Sequence, residues 1–482
     1  MPRKSPLFAV SGLNRGLFLA SLALVLSACA ATPPEPSLKP QMPARYAQAQ
    51  DGWQPVQTSL SSVVIAKDWW RIFHDPVLDQ LEDQVAVHNQ SLAAQLAAYD
   101  QSRAIMSQTQ AGFYPTVSSG VSATRSKSNG LGTNGSRVLN TMSVTADASW
   151  APDLWGRVRL QVQAGEATVA ASAATLQYTQ LSLQGQCAQS YLQLRSVDAQ
   201  IRLAQENVAA YQRALQITEN RYKAGVDTVA DVAQARTQLL QARTSLTDFG
   251  VTRVQLQNAI AVLVGQVASG FSLKATQDLP AVPAVPAGVP AQLLQRRPDL
   301  VATQAQVAAA NAQIGVAQTA WFPNLMLSAQ GGSQSNRLAD LFSAPSLFWS
   351  LGPSLAMTLF DGGLRQAQED ASKAAYRQTV ANYRQAVLTA LQQVEDNLAA
   401  QRILAAEAKQ QADVVLASKE SLRLAMNQYK AGMTPYLNVI TAQTIEASAA
   451  NTELLLLNRR YATAVALIQS LGGGYEKSSD SK

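Results

Sequence analysis

The 482-residue sequence is written twice, and a chain that repeats itself on this scale builds its core from two copies of one unit. Asn220-Arg221-Tyr222-Lys223-Ala224-Gly225 recurs about 207 residues later as Asn427-Gln428-Tyr429-Lys430-Ala431-Gly432. Ala111-Gly112-Phe113-Tyr114-Pro115 returns as Ala320-Trp321-Phe322-Pro323, and Asp153-Leu154-Trp155-Gly156-Arg157-Val158-Arg159 is echoed by Leu359-Phe360-Asp361-Gly362-Gly363-Leu364-Arg365. Prolines 280, 283, 286 and 290 enforce an extended strap between the copies. These marks divide the chain into residues 76–278 (first repeat), 279–297 (strap) and 298–471 (second repeat). Residues 29–75 precede the repeats, and the tail 472–482 is expected to be disordered.

Each repeat predicts one strand pair, at about residues 113–151 and 322–360. Val138, Asn140, Met142, Val144, Ala146, Ala148 and Trp150 alternate with Leu139, Thr141, Ser143, Thr145, Asp147 and Ser149. In the second copy Leu347, Trp349, Leu351 and Leu355 oppose Ser346, Ser350, Gly352 and Ser354. Period-two strands of about ten residues with aromatics at their ends fit a membrane barrel; a half-buried sheet in a water-soluble domain also alternates. In the membrane case four strands cannot close, and an open edge cannot sit in lipid, so the barrel is shared between subunits.

The rest reads as helix. Residues 156–222 and 363–429 lack proline, and each span makes a rod of about 100 Å at 1.5 Å per residue. Val232, Ala235, Leu239, Ala242, Leu246, Phe249, Leu256, Ile260 and Leu263 keep heptad spacing, broken only by Arg253, as a coiled-coil seam does. Val208, Tyr211, Leu215, Thr218 and Tyr222 form a second such seam.

The chain opens with Arg3, Lys4 and Arg15, a short apolar run from Leu17 to Leu26, and Leu26-Ser27-Ala28-Cys29. This is a secretory signal. Its ending resembles the lipobox of bacterial lipoproteins, which implies removal of residues 1–28 and lipid attachment to Cys29, with Ala30 favouring the outer membrane. An ordinary cleaved signal with an incidental cysteine is the other reading. Loss of the signal takes three of the six net positive charges with it, leaving too little charge to argue for nucleic acid. Cys187, the one other cysteine, has no partner for a disulfide once Cys29 is acylated.

Catalytic patterns are missing from the sequence. There are two histidines: His74, and His88 on the stripe Leu78, Leu81, Val85, His88, Leu92, where a seam residue is expected. No P-loop, dinucleotide fingerprint, nucleophile elbow or metal-ligand spacing is present. An enzyme is not expected, and no cofactor beyond the covalent lipid.

Taken in order, the lipobox, Asp68-Trp69-Trp70-Arg71-Ile72-Phe73-His74-Asp75-Pro76, the 153–159 block, Arg296-Arg297-Pro298-Asp299-Leu300 and the doubled Tyr-Lys-Ala-Gly resemble the TolC family of outer-membrane efflux channels. The likeness is to its lipoprotein branch, which serves resistance-nodulation-division pumps. The resemblance implies a mixed fold: a homotrimer with a transmembrane β-barrel of twelve shared strands, four per chain, above a long periplasmic α-helical coiled-coil tunnel. It implies a periplasmic adaptor and an inner-membrane transporter as partners, contact with outer-membrane lipid, and no nucleic acid. The function implied is a passive exit duct for drugs or other small toxic compounds; a type I protein-secretion duct, or a lipid-anchored coiled-coil scaffold without a pore, are the alternatives. It further implies that the turns at Tyr222, Gly225, Asp227 and Asp231 and at Tyr429, Gly432, Leu437 and Thr441 form the periplasmic tip, where the gate closes and the adaptor docks. Metabolic labelling with palmitate should mark the wild-type protein, and Cys29→Ser behind a cleavable non-lipoprotein signal should lose the label while still forming trimers.

Overall fold

A computed structural model of the chain describes residues 67–128, 137–276, 278–283, 285 and 296–474. The leader, Cys29, the tether after it, loop residues 129–136, most of the strap and the end of the tail lie outside the described residues.

The elements repeat as the sequence does. The first copy contains α1 (Pro76–His88), α2 (Gln90–Gln110), β1 (Thr116–Ser128), β2 (Arg137–Trp150), α3 (Arg157–Lys223) and α4 (Val229–Leu263). The second contains α5 (Pro298–Thr319), β3 (Asn324–Ser335), β4 (Leu347–Ala356), α6 (Leu364–Lys430) and α7 (Tyr436–Ser470). The long helices α3 and α6 have 67 residues each, and α4 and α7 have 35 each. Their starts differ by 364 − 157 and by 436 − 229, both 207.

One compact unit holds residues 100–170 and 304–382. Its centre is a four-stranded antiparallel sheet in the order β1-β2-β3-β4, so the two repeats meet at the β2–β3 pairing, and β1 and β4 are left as free edges. The register aligns the faces of the four strands. Val117, Ala148, Ala329 and Leu351 form one row across the sheet, and Val121, Val144, Ser333 and Leu347 form another. Ser118, Asp147, Gln330 and Ser350 form a row on the opposite face. There Gln330 Nε2 donates to Asp147 Oδ1 at 2.7 Å and the Thr145 hydroxyl to Asp147 Oδ2 at 3.1 Å. The apolar face is bare: Trp349 is 81% exposed and Val121 82%. A large apolar face left uncovered in this way marks a surface that another apolar phase covers.

Aromatic rings line the helix-side end of the sheet. Trp155 stacks on Phe322 at 5.1 Å, and its Nε1 donates to the Pro323 carbonyl at 2.6 Å. Trp150 Nε1 donates to the Phe113 carbonyl at 3.0 Å. Asp153 explains the motif around it: its two oxygens accept from the Val158 and Arg159 amides at 2.9 and 3.0 Å, satisfying the open N-terminus of α3. Asp361 does the same for α6 through Gly363 and Arg365.

The other unit takes the described residues among 67–99, 171–303 and 383–474. Its core gathers Trp69, Trp70 and Phe73, the α1 stripe Leu78, Leu81 and Val85, and Tyr191, Leu192, Val394, Tyr461, Val465 and Ile468. Asp75 sets α1 in place: one oxygen accepts from the Val77 and Leu78 amides at 2.9 and 3.3 Å, and the other takes the Tyr191 hydroxyl at 2.6 Å. The helical stripe ends earlier than its spacing predicts. His88 is exposed, not seated in a seam, because α1 stops there. Asn89 then turns the chain, accepting from the Leu92 amide at 3.0 Å and donating to the Leu263 carbonyl at 2.8 Å. Arg253, the break in the α4 heptads, donates to Asp198 at 2.7 Å and to the Leu273 carbonyl at 2.7 Å. Asp198 also pairs with Arg195, so one buried carboxylate is shared by two guanidinium groups.

Glu82 lies in this core with no exposed surface. The Cys187 thiol and the Ala188 backbone face it, but neither carboxyl oxygen closes a hydrogen bond of normal geometry. Burial pushes the carboxyl well above its usual range, and likewise raises the thiol. Glu82 is therefore held as the neutral acid. A carboxyl raised in the folded state contributes its full stability below its unfolded pKa, near 4.5, and loses it as pH climbs toward the folded value. The purified protein in detergent should accordingly melt at lower temperature as pH rises above about 5. Glu82→Gln should flatten that dependence and, at pH 8, raise stability by about 1–3 kcal/mol; a variant less stable than wild type at pH 8 would refute the neutral assignment.

Candidate functional site

The two Tyr-Lys-Ala-Gly turns come together in one cluster. The first joins α3 to α4 and the second α6 to α7. Both need glycine: Gly225 and Gly432 have φ of 75° and 78°, a left-handed conformation that a Cβ disfavours. Each closes its helix with a bond from the glycine amide back to the tyrosine carbonyl, at 2.9 Å in both copies.

Although the motif is doubled, its tyrosines do different work. Tyr222 is half exposed, whereas Tyr429 is buried against Tyr436, Ala214, Ala235 and Val439. The Tyr429 hydroxyl donates to Asp227 and lies 3.1 Å from the Thr218 hydroxyl. Arg221 Nε contacts both Asp227 oxygens at 3.1 Å, and its guanidinium sits 4.6 Å from the centre of the Tyr429 ring. Tyr429 and Tyr436 are 5.3 Å apart. Burial first, then the Asp227 carboxylate, pushes the Tyr429 phenol up to about 12, so it remains a neutral donor across the physiological range. A single carboxylate thus links the first turn to the second, held by a cation on one side and a phenol on the other.

The expected site residues separate here. Tyr429, Gly432, Gly225 and Asp227 belong to the cluster or its turns. Asp231 is committed to its own helix: with Thr228 it forms a capping box, accepting from the Thr228 amide at 2.9 Å while the Thr228 hydroxyl accepts from the Asp231 amide at 3.2 Å. Leu437 is 56% exposed, and the Thr441 hydroxyl donates to the Leu437 carbonyl at 3.0 Å. Arg221, Thr218 and Tyr436 carry the cluster although none of them was among the expected tip residues; the sequence marked Arg221 only as part of the repeat and Thr218 only as a seam position. A signal for them exists, because at an offset of 207 their counterparts are Gln428, Ala425 and Val229. The positions where the two copies differ in chemistry are the ones that bind the copies together.

Among the described residues no group of three or more His, Cys, Asp or Glu could hold a metal ion, and no helix is long and apolar enough to cross a membrane.

Residues 81–266 and 289–473 match the family model of outer membrane efflux proteins, and the chain belongs to that family. It is 31% identical over 464 residues, 95% of each chain, to the probable efflux pump outer membrane protein TtgC of Pseudomonas putida. It is 29% identical over 470 residues, 96% of this chain and 97% of the other, to the pyoverdine export outer membrane protein OpmQ of Pseudomonas aeruginosa. The solved outer-membrane channel OprN superposes with a TM-score of 0.84 at 28% identity, covering 92% of this chain and 99% of its own. MtrE, the outer membrane channel of Neisseria gonorrhoeae, superposes at 0.79 and 26%, covering 92% and 98%. The outer membrane is therefore where the sheet's apolar face belongs.

Asp231→Ala should cost about 0.5–1.5 kcal/mol through loss of the reciprocal half of the capping box, the Thr228 cap itself remaining, and Asp231→Asn, which keeps an acceptor, should recover most of it. Chemical unfolding of the purified protein, followed by circular dichroism, reads both.

Proposed function

We propose that three copies of this chain close a twelve-stranded barrel and form the passive outer-membrane duct of a tripartite efflux pump, releasing small toxic compounds to the exterior. The observation that carries this reading is the four-stranded sheet with one apolar face, one polar face and two free edges. A free edge in hydrocarbon leaves backbone groups unpaired at several kcal/mol each, so β1 and β4 must pair with neighbouring copies. Two copies would give eight strands, whose interior fills with side chains, whereas three leave a water-filled lumen. A scaffold without a pore would have no use for a lipid-facing sheet. The relatives named for efflux and pyoverdine export favour small cargo over secreted protein. Cys29 carries the lipid, the helices face the periplasm, and the adaptor and inner-membrane transporter engage the helical end.

The paired turns are the closure. The bonds of Asp227 to Tyr429 and Arg221 hold α3–α4 against α6–α7 at their joined ends, and the exposed Leu437 lies one residue past the start of α7. Opening then requires breaking a short polar link, not unfolding a helix. Tyr429→Phe combined with Arg221→Ala should raise single-channel conductance in planar bilayers several-fold with trimer yield maintained, and Leu437→Ala should add to it. Unchanged conductance from intact trimers would remove the closure from these turns.

A further inference from the structure

The barrel face carries a charge pattern that conduction does not use. On the outward side, rows run from Leu325 and Leu355 up to Ala123, Met142 and Ser335. That is ten steps along β3, or about 34 Å at 3.4 Å per residue. At the usual strand tilt of about 40° this projects to about 26 Å, close to the apolar band of an outer-membrane barrel. The next two rows pair Arg125 with Asn140 and Lys127 with Val138. Both cations share the face of Val117 and Val121, while Thr124 and Ser126 on the other face are neutral. Arg125 and Lys127 are exposed. They stand where the hydrocarbon ends, on the side turned to lipid.

Little negative charge opposes them. From Thr116 to Trp150 the sequence contains one acid, Asp147, which lies on the polar face and accepts from Gln330 and Thr145. Residues 129–136 carry no charge, and residues 336–346 add Arg337 and Asp340. A long cationic side chain at this depth lays its stem on apolar surface and extends its head to the interface. An arginine and a lysine two residues apart on one strand present a fork and a point charge about 7 Å apart along it, matched to phosphate monoesters on a rigid headgroup.

We propose that Arg125 and Lys127 bind the phosphates of lipid A, the diphosphorylated sugar lipid of the outer leaflet, and so seat the barrel in that leaflet. This rests on the duct reading in taking the apolar face of the sheet to lipid and the strand loops to the outside. Native mass spectrometry of the full-length trimer, titrated with lipid A, with its dephosphorylated form and with phosphatidylglycerol, tests it. Wild type should retain lipid A selectively. R125Q/K127Q should bind it about 25-fold more weakly, about five-fold for each cation removed, and R125K/K127R, which keeps both charges, should lose far less than the glutamine variant. Equal lipid A affinity in the glutamine variant, or equal retention of phosphatidylglycerol or dephosphorylated lipid A by wild type, would overturn the proposal. Conductance of the same preparations reports on the duct separately and should not change in either variant.

Discussion

A strand edge cannot be left open in hydrocarbon, and the rest of this protein is arranged around that rule. Water is absent there, so each unpaired amide or carbonyl costs several kcal/mol. Each repeat supplies a single hairpin, and the chain joins the two through β2 and β3 into one sheet with β1 and β4 at its edges. The sheet is incomplete by itself, and association with other copies is a condition of its existing in a membrane. The same rule explains the face pattern: valine, leucine and tryptophan on one side, and serine, threonine, glutamine and one bonded aspartate on the other.

The helical unit solves a different problem. Helices of 67 residues have far more surface than one another can cover, and packing rather than propensity must hold them. The core around Trp70, Phe73, Tyr191 and Tyr461 supplies that packing. Two buried polar features interrupt it with opposite chemistry. Asp198 is paired, because Arg195 and Arg253 both reach it. Glu82 has no cation and stays neutral. In an apolar interior a carboxyl is either paired or protonated, and this core contains one of each.

At the joined turns the repeat is broken in order to be useful. The two turns carry different groups at matching positions: Thr218, Arg221 and Val229 in the first stand where Ala425, Gln428 and Tyr436 stand in the second. Thr218, Arg221 and Asp227 in the first copy receive Tyr429 of the second. The link is made of a few polar contacts, directional enough to fix one register between the turns.

Much of the architecture was legible from local pattern. The 207-residue offset, the helical spans within one residue of Arg157–Lys223 and Leu364–Lys430, the strand faces and the glycine turns follow from periodicity and backbone preference, which neighbouring residues determine. Family membership was legible too, through motifs whose structural reasons are now plain, Asp75 and Asp153 as helix caps among them. Tertiary structure alone decided the rest. Spacing placed His88 in a seam, yet α1 ends there because Asn89 bonds to Leu263, 174 residues away. Arg253 looked like a flaw in a heptad until Asp198 came to it, 55 residues distant. Tyr222 and Tyr429 are the same letter in the same motif, and only the opposite turn makes one of them a buried donor. Sequence period is a property of one segment; burial and partnership belong to pairs of segments that the chain brings together only when it folds.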